Sequence, residues 1–194
     1  AQLSAKILGA VYRDHNDEFE LQLPETLRIE KYTEVLNWYK NPLNRDYSKT
    51  LEIDIAGVPH VFAWGGLHGA IPQYFGEGSF INVDVASYYP SLMLVYKWLS
   101  RNVADPSKYA EIYHTRLKLK AEKNPMQQPY KIVLNSTYGA MKDRHNAMYD
   151  PRQANNVCVG GQLLLLDLIE RLEDHCDIIQ SNTDGILVKL RRYE

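Results

Sequence analysis

Ile178-Ile179-Gln180-Ser181-Asn182-Thr183-Asp184-Gly185-Ile186-Leu187-Val188-Lys189-Leu190 is the stretch on which the reading of this chain turns. Two short apolar runs rich in β-branched residues, 178–180 and 186–190, flank the small and polar residues 181–185. That pattern predicts a β-hairpin with polar, glycine-containing turn chemistry. An acid, Asp184, stands at its tip. Taken alone, Asp-Gly is ordinary turn chemistry, because Asp bonds its own backbone and Gly accepts backbone conformations closed to other residues. The meaning of Asp184 depends on what precedes it.

Working outward, residues 79–85 read as a strand, with Phe80, Ile81, Val83 and Val85 apolar or β-branched. Asp84 ends it, and a turn leads straight into a helix opened by Pro90 and Ser91, with Ser91 as its cap. Helices are predicted at 107–123, at 130–138 (ended by Gly139) and at 157–173. In the second of these, Lys131, Asn135 and Tyr138 stand at i, i+4 and i+7 and share one face. Toward the N-terminus, 5–12 and 18–23 read as strands, the latter stopped by Pro24. Residues 30–40 place Tyr32, Val35, Leu36 and Tyr39 on one helical face. Residues 51–55 and 58–63 form a hairpin around Ala56-Gly57, and 65–70 a glycine-rich turn. Strands therefore bracket a helical middle. The expectation is an α+β fold, with helices backing one face of a mainly antiparallel sheet.

Composition bounds the function. The chain has 194 residues, enough for one domain or one plus a small lobe, and 45% of them are hydrophobic. No apolar run approaches the 18 or more residues of a membrane span, so no membrane partner is expected. Two cysteines, Cys158 and Cys176, make no disulfide framework, and the histidines lack zinc spacing. A reducing, cytoplasmic setting is the default. The chain begins Ala1-Gln2-Leu3 rather than with Met, which suggests a piece cut from a longer protein. The net charge of −2 runs against the basic footprint of most nucleic-acid binders. A carboxylate-based metal site concentrates acid, however, and local basic clusters can still hold phosphates.

Three segments belong together: Asp84-Val85-Ala86-Ser87-Tyr88-Tyr89-Pro90-Ser91, then Lys131-Ile132-Val133-Leu134-Asn135-Ser136-Thr137-Tyr138-Gly139, then Asn182-Thr183-Asp184-Gly185. In this order they resemble the three polymerase motifs of phage-type family B DNA polymerases, written D-x-x-S-L-Y-P-S, K-x-x-x-N-S-x-Y-G and D-T-D-S. The resemblance covers about residues 62–190. It implies a polymerase palm with a short helical fingers insertion: 1–60 as the N-terminal part of the palm region or a connector from an upstream domain, 61–99 as palm with the first motif, 100–140 as fingers, and 141–194 as palm with the third motif. The exonuclease and thumb of the parent chain would be missing. Glu52-Ile53-Asp54 reverses the order of an exonuclease motif, and the chain ends at Arg191-Arg192-Tyr193-Glu194, too early for a thumb.

The implied activity is template-directed DNA synthesis, with deoxynucleoside triphosphates added to the 3′-hydroxyl of a DNA primer-template. Such chemistry needs positioning and charge neutralisation rather than a protein nucleophile. Two divalent ions supply both, and hard ions take oxygen ligands. By resemblance, Asp84, Asp184 and the Val85 carbonyl hold two Mg²⁺ ions, with Mn²⁺ as an alternative. Lys131 contacts the triphosphate, as do Arg116 and Lys120, a basic i, i+4 pair on the preceding helix. Asn135 and Tyr138 lie beside the incoming nucleotide and nascent pair, and Tyr89 excludes a 2′-hydroxyl. Gly65 and Gly66, with Gly139, are the DNA-contacting glycines, where backbone comes close to phosphates.

The chain departs from the family pattern at four places. Asn182 replaces the first Asp of the third motif and removes one charge; Gly185 replaces its Ser. Tyr88 stands where Leu is usual, and Ala63 occupies the aromatic place before Gly65-Gly66. Two other readings compete. A reverse transcriptase is disfavoured by the Lys131–Gly139 helix. A non-catalytic nucleic-acid-binding or interaction module, derived from a polymerase palm, gains from Asn182 and the net charge but does not explain the retained Asp84, Lys131 and Asp184.

Overall fold

The computed structural model describes residues 2–192; Ala1, Tyr193 and Glu194, and with them the last two residues of the predicted truncated end, lie outside the described part. The fold is α+β, with a six-stranded antiparallel sheet and six α-helices among the described residues. The chain divides into two compact units. One comprises Ala1–Leu21 and Tyr89–Val157, the other Gln22–Tyr88 and Cys158–Glu194.

The second unit contains the whole sheet. Its strands are β1 (Thr50–Ile55), β2 (Val58–Ala63), β3 (Leu67–Ala70), β4 (Phe80–Asp84), β5 (Cys176–Asn182) and β6 (Gly185–Leu190), in the order β1-β2-β3-β5-β6-β4. The predicted β1–β2 hairpin is present. Ala56 (φ 53°) and Gly57 (φ 76°) both take the left-handed conformation that a tight two-residue hairpin turn requires. Residues 65–70, expected as a glycine-rich turn, are mostly strand. The chain bends at Trp64 and Gly65, and Leu67–Ala70 pairs as β3, because Leu67 and Gly69 are buried in the sheet's alternation.

Register fixes what each face carries. Ile53, His60, Gly69, Ser181, Ile186 and Val83 form one cross-strand row through all six strands. This face is buried: Ile55, Phe62, Leu67, Ile178, Ile186 and Val188 are all nearly inaccessible. Helix α6 (Pro151–Leu172) contributes Cys158, Val159, Leu163, Leu165 and Leu166 to the same core. Helix α2 (Thr33–Lys40) is tied in by Tyr39. Its hydroxyl donates to the Ala63 carbonyl (2.9 Å) and to Gln162 Oε1 (2.7 Å). The loop before α2 is anchored by Glu170, whose carboxylate accepts the backbone N–H groups of Glu30, Lys31 and Tyr32.

His60 is buried within this face. Its Nδ1 bonds the Val58 carbonyl (2.7 Å), and its Nε2 pairs with the Ser181 hydroxyl across β3. A Cβ at Gly69 would lie 2.3 Å from the imidazole, so β3 must carry glycine for the ring to pass over it.

The first unit is helical. It holds α1 (Gln2–Ile7), α4 (Ser107–Ala121), α5 (Gln127–Lys142), nearly all of α3 (Tyr88–Val95) and the start of α6. Two predicted strands are absent here. Residues 2–7 coil into α1 because Gly9 (φ 64°) caps it: Gly9 N–H bonds the Lys6 carbonyl and Ala10 N–H the Ala5 carbonyl. Only Ala10 makes an isolated bridge, to Val103. Within 18–23 the backbone groups bond locally instead, Glu20 N–H to Asp17 and Leu21 N–H to Phe19, while Asn155 Nδ2 takes the Glu18 carbonyl.

Helices α4 and α5 run antiparallel, held by Tyr109 hydroxyl to the Leu134 carbonyl (3.1 Å) and, one end along, Arg116 Nε to Gln127 Oε1 (3.2 Å). Helix α5 continues past Gly139 to Lys142; an isolated helical glycine costs about 1 kcal/mol but does not end a helix whose neighbours pack. Helix α6 starts six residues earlier than predicted, since Pro151 suits a first turn and the polar residues after it have buried partners.

A charge cluster fastens this unit. Arg101 reaches both oxygens of Asp17 (2.7 and 2.8 Å) and both of Asp150, and Arg152 adds a contact to Asp17. Arg101 beside it lowers the Asp17 carboxyl to about 2.

Candidate functional site

The hairpin β5–β6 closes through Thr183-Asp184 alone, with Asn182 and Gly185 as its last and first paired residues. Strand β4 lies against the other side of β6 in a five-residue antiparallel ladder that ends with Asp84 opposite Gly185. One further hydrogen bond prolongs it: Val85 N–H donates to the Asp184 carbonyl at 2.9 Å. Asp84, Val85 and Asp184, distant in sequence, thus converge on adjacent strand ends of one sheet.

Gly185 shows why they fit. Its φ is not left-handed, so the turn does not require glycine there. A Cβ on Gly185 would instead lie 2.4 Å from Asp84 Oδ1, 2.9 Å from the Val83 carbonyl oxygen and 3.5 Å from Asn182 Oδ1. The Asp84 carboxylate occupies the space that a side chain at 185 would fill. Asn182 Oδ1 accepts the Asp184 N–H at 3.3 Å, an Asx turn that shapes the tip.

Asp84 and Asp184 are exposed, and neither carboxylate has a hydrogen bond or ion pair among the described residues. No group of three or more His, Cys, Asp or Glu side chains with metal-site geometry occurs among the described residues. The available donors are two carboxylates, the Val85 carbonyl and the Asn182 amide oxygen. All are hard oxygens, and their chemistry fits Mg²⁺ or Mn²⁺, with remaining positions left to substrate and water.

Beside Asp84 lies a cavity of about 320 Å³ lined by Asn82, Gln180, Asn182, Gly185 and Leu187 among others. Asn82 and Gln180 were not singled out from the sequence. Their signal is the period of two: each stands two residues before Asp84 or Asn182 and so shares its face.

Gly65 and Gly66 behave differently from one another. A Cβ at Gly66 would lie 2.7 Å from Thr183 Oγ1, so this glycine lets the β2–β3 turn approach the hairpin tip. Gly65 is exposed and meets nothing within 4 Å. Between β4 and α3, Ser87 takes a left-handed φ of 50°. Helix α3 then starts at Tyr88, with Pro90 in its first turn. Ser91 is therefore not the cap; its hydroxyl meets the Tyr113 hydroxyl at 3.2 Å.

The remaining predicted residues belong to the helical unit. Tyr89 and Tyr138 make an edge contact, with ring centroids 4.7 Å apart. This joins the first and second motifs. Lys142, one turn beyond Tyr138, holds its ammonium 5.4 Å from the same ring, a residue the sequence reading passed over although it continues the i+4 spacing. Lys131 is half-buried and Asn135 exposed on α5, while Gly139 opens to empty space. On α4, Arg116 is buried at 7% exposure, held by Gln127, whereas Lys120 is exposed. The carboxylate residues and Gly65-Gly66 thus lie in one unit, and Tyr89, Arg116, Lys120, Lys131, Asn135, Tyr138 and Gly139 in the other.

No protein-family model matches the chain. A short stretch is similar to a DNA polymerase of Acidianus bottle-shaped virus (isolate Italy/Pozzuoli): 52% identity over 33 residues, 17% of this chain and 5% of the viral protein. This supports a relationship to a DNA polymerase. No helix among the described residues is long and apolar enough to cross a membrane.

Proposed function

We propose that this chain is the palm and fingers core of a family B DNA polymerase of a virus or phage, adding deoxynucleotides to a DNA primer on a template strand. The observation that carries the reading is the β4–β6 ladder, which ends with Asp84 opposite Gly185 and with Val85 N–H on the Asp184 carbonyl. Two exposed, unpartnered carboxylates at the rim of a rigid sheet are what a pair of hard divalent ions needs. The short similarity to a viral DNA polymerase points to the same chemistry.

Asp84, Asp184 and the Val85 carbonyl would hold the ions, with Asn182 giving a neutral oxygen in place of a third carboxylate. Divalent ions bound there supply charge neutralisation at the transferring phosphoryl group and lower the barrier to attack by the primer 3′-hydroxyl. The chain's own residues bind and orient. Lys131, Arg116 and Lys120 take the triphosphate oxygens, Asn135 and Tyr138 lie along the base, and the Tyr89 ring closes the space of a 2′-hydroxyl. Gly65, Gly66 and Gly139 give backbone access to DNA.

The test is primer extension by the natural full-length protein with Mg²⁺ and all four deoxynucleotides, beside Asp84→Ala and Asp184→Ala. Extension by the wild type, lost at least about a hundredfold in both variants with melting unchanged, is the expected result. Equal extension in all three removes the metal assignment. DNA binding without any extension favours the non-catalytic module.

A further inference from the structure

Lys189 stands at the opposite end of β6 from the Asp84–Asp184 pair. Strand β6 leaves the Asp84–Asp184 end at Gly185 and reaches Lys189 four residues later, on the same face by strand alternation. There Lys189 pairs with Phe80 of β4 on one side and Asp177 of β5 on the other. A hollow of about 1170 Å³ opens at this end, lined by Glu77, His175, Asp177, Lys189, Arg191 and Arg192 among others.

The cations are not equivalent. Arg191 is spent on structure: its Nε pairs with Asp177 (3.0 Å), and its other nitrogens donate to the carbonyls of Asp174, Glu173 and Cys176. That ion pair also removes Asp177 from the acids of the hollow. Lys189 and Arg192 have no carboxylate partner among the described residues. The Lys189 ammonium lies 6.0 Å from the Phe80 ring centroid. Its stem crosses Gly78, where a Cβ would come within 2.8 Å of Lys189 Cε. The hollow thus holds two cations without a carboxylate partner, Lys189 and Arg192, beside one acid, Glu77, while the two free carboxylates stand at the other end of β6.

We propose that Lys189 and Arg192 bind phosphodiester oxygens of the primer strand two to four nucleotides behind its 3′ end. The inference rests on the polymerase reading and adds to it a site that the three motifs do not contain. The spacing follows from geometry: four strand residues cover roughly 13 Å at about 3.3 Å each. That length corresponds to about four base-pair steps of 3.4 Å along a duplex, or about two nucleotides along an extended strand. A polyanion whose terminus meets bound cations at the Asp84 end needs fixed cations further back, and contacts of this kind set register without reading sequence.

The experiment is a fluorescence-anisotropy titration of primer-template with the natural full-length protein, from 50 to 400 mM KCl, for wild type, Lys189→Gln/Arg192→Gln and the charge-preserving Lys189→Arg/Arg192→Lys. Each lost phosphate contact lowers the slope of log K against log[salt] by about 0.9, so the Gln pair should lower it by about 1.8. Affinity should fall on the order of a hundredfold at 50 mM salt and much less near 1 M. The charge-preserving pair should keep the wild-type slope. Primers with neutral methylphosphonate linkages two to four positions from the 3′ end should weaken wild type but not the Gln pair; linkages eight to ten positions back should affect both alike. An unchanged slope in the Gln pair, in a protein that binds and extends primers, overturns this site and leaves the polymerase reading standing. Wild type that neither binds nor extends overturns both.

Discussion

Gly185 and Asp84 face each other across the β4–β6 ladder, and a Cβ at 185 would lie 2.4 Å from Asp84 Oδ1. The missing side chain is what lets this carboxylate lie over the hairpin while staying open to solvent. Asn182, on the other flank of Gly185, completes a row of three residues that a larger group at 185 would force apart.

Gly185→Ala should therefore do more than alter a turn. The added methyl displaces the Asp84 carboxylate and presses on the Val83 carbonyl, 2.9 Å from the same point. We expect a loss of about 1–3 kcal/mol in stability by urea unfolding. Mn²⁺ affinity, read by electron paramagnetic resonance, should weaken as well. Normal stability with normal Mn²⁺ binding would show that the strands relax freely there.

Tyr89 and Tyr138 should act as one wall, their ring centroids being 4.7 Å apart. Tyr89→Ala should raise ribonucleotide use relative to deoxyribonucleotide at least about tenfold in kcat/KM, and Tyr89→Phe should not. Tyr138→Ala, which removes the support of the Tyr89 ring, should give a smaller shift in the same direction. Unaltered sugar selectivity in Tyr89→Ala would reject the role.

Acid should weaken the two units in separate windows. Burial lowers the His60 pKa below its ordinary 6.5, so unfolding takes up a proton and the sheet unit loses stability as pH falls below about 6.5. Asp17 is depressed from 3.8 to about 2 by Arg101, so its contribution is complete only above about pH 5 and is lost as pH falls through about 2. Urea midpoints measured from pH 7.5 to 2 should fall in both windows. His60→Gln should flatten the upper one and Asp17→Asn the lower one.

Gly139 lies within α5 and faces open space, so its presence has no packing reason. Gly139→Ala should stabilise the protein by about 1 kcal/mol. If the exposed backbone there approaches DNA, the same change should weaken primer-template binding several-fold. Gained stability with undiminished DNA affinity would remove Gly139 from the DNA-contacting residues.

The sequence by itself determined most of the sheet and most of the helices. Apolar and β-branched runs between turn residues marked β1, β2, β4 and β6, and helical spacing marked α2 and α5, whereas the one alternating run, 18–23, is not a strand. It also singled out Asp84 and Asp184, through the order of the three motifs. Local signals failed where partners far along the chain decided. Residues 2–7 are helical because of the Gly9 cap, a signal that was legible but unread, and Ser4 meets Ser136 at 2.7 Å. Residues 18–23 are not a strand, because side chains and local turns take their backbone groups. Only the tertiary structure showed why particular glycines stand where they do. Gly69 clears His60, Gly66 meets Thr183, and Gly185 clears Asp84. A residue without a side chain leaves no pattern of its own; its reason lies in the atom that fills its space, and that atom comes from another strand or turn of the sheet.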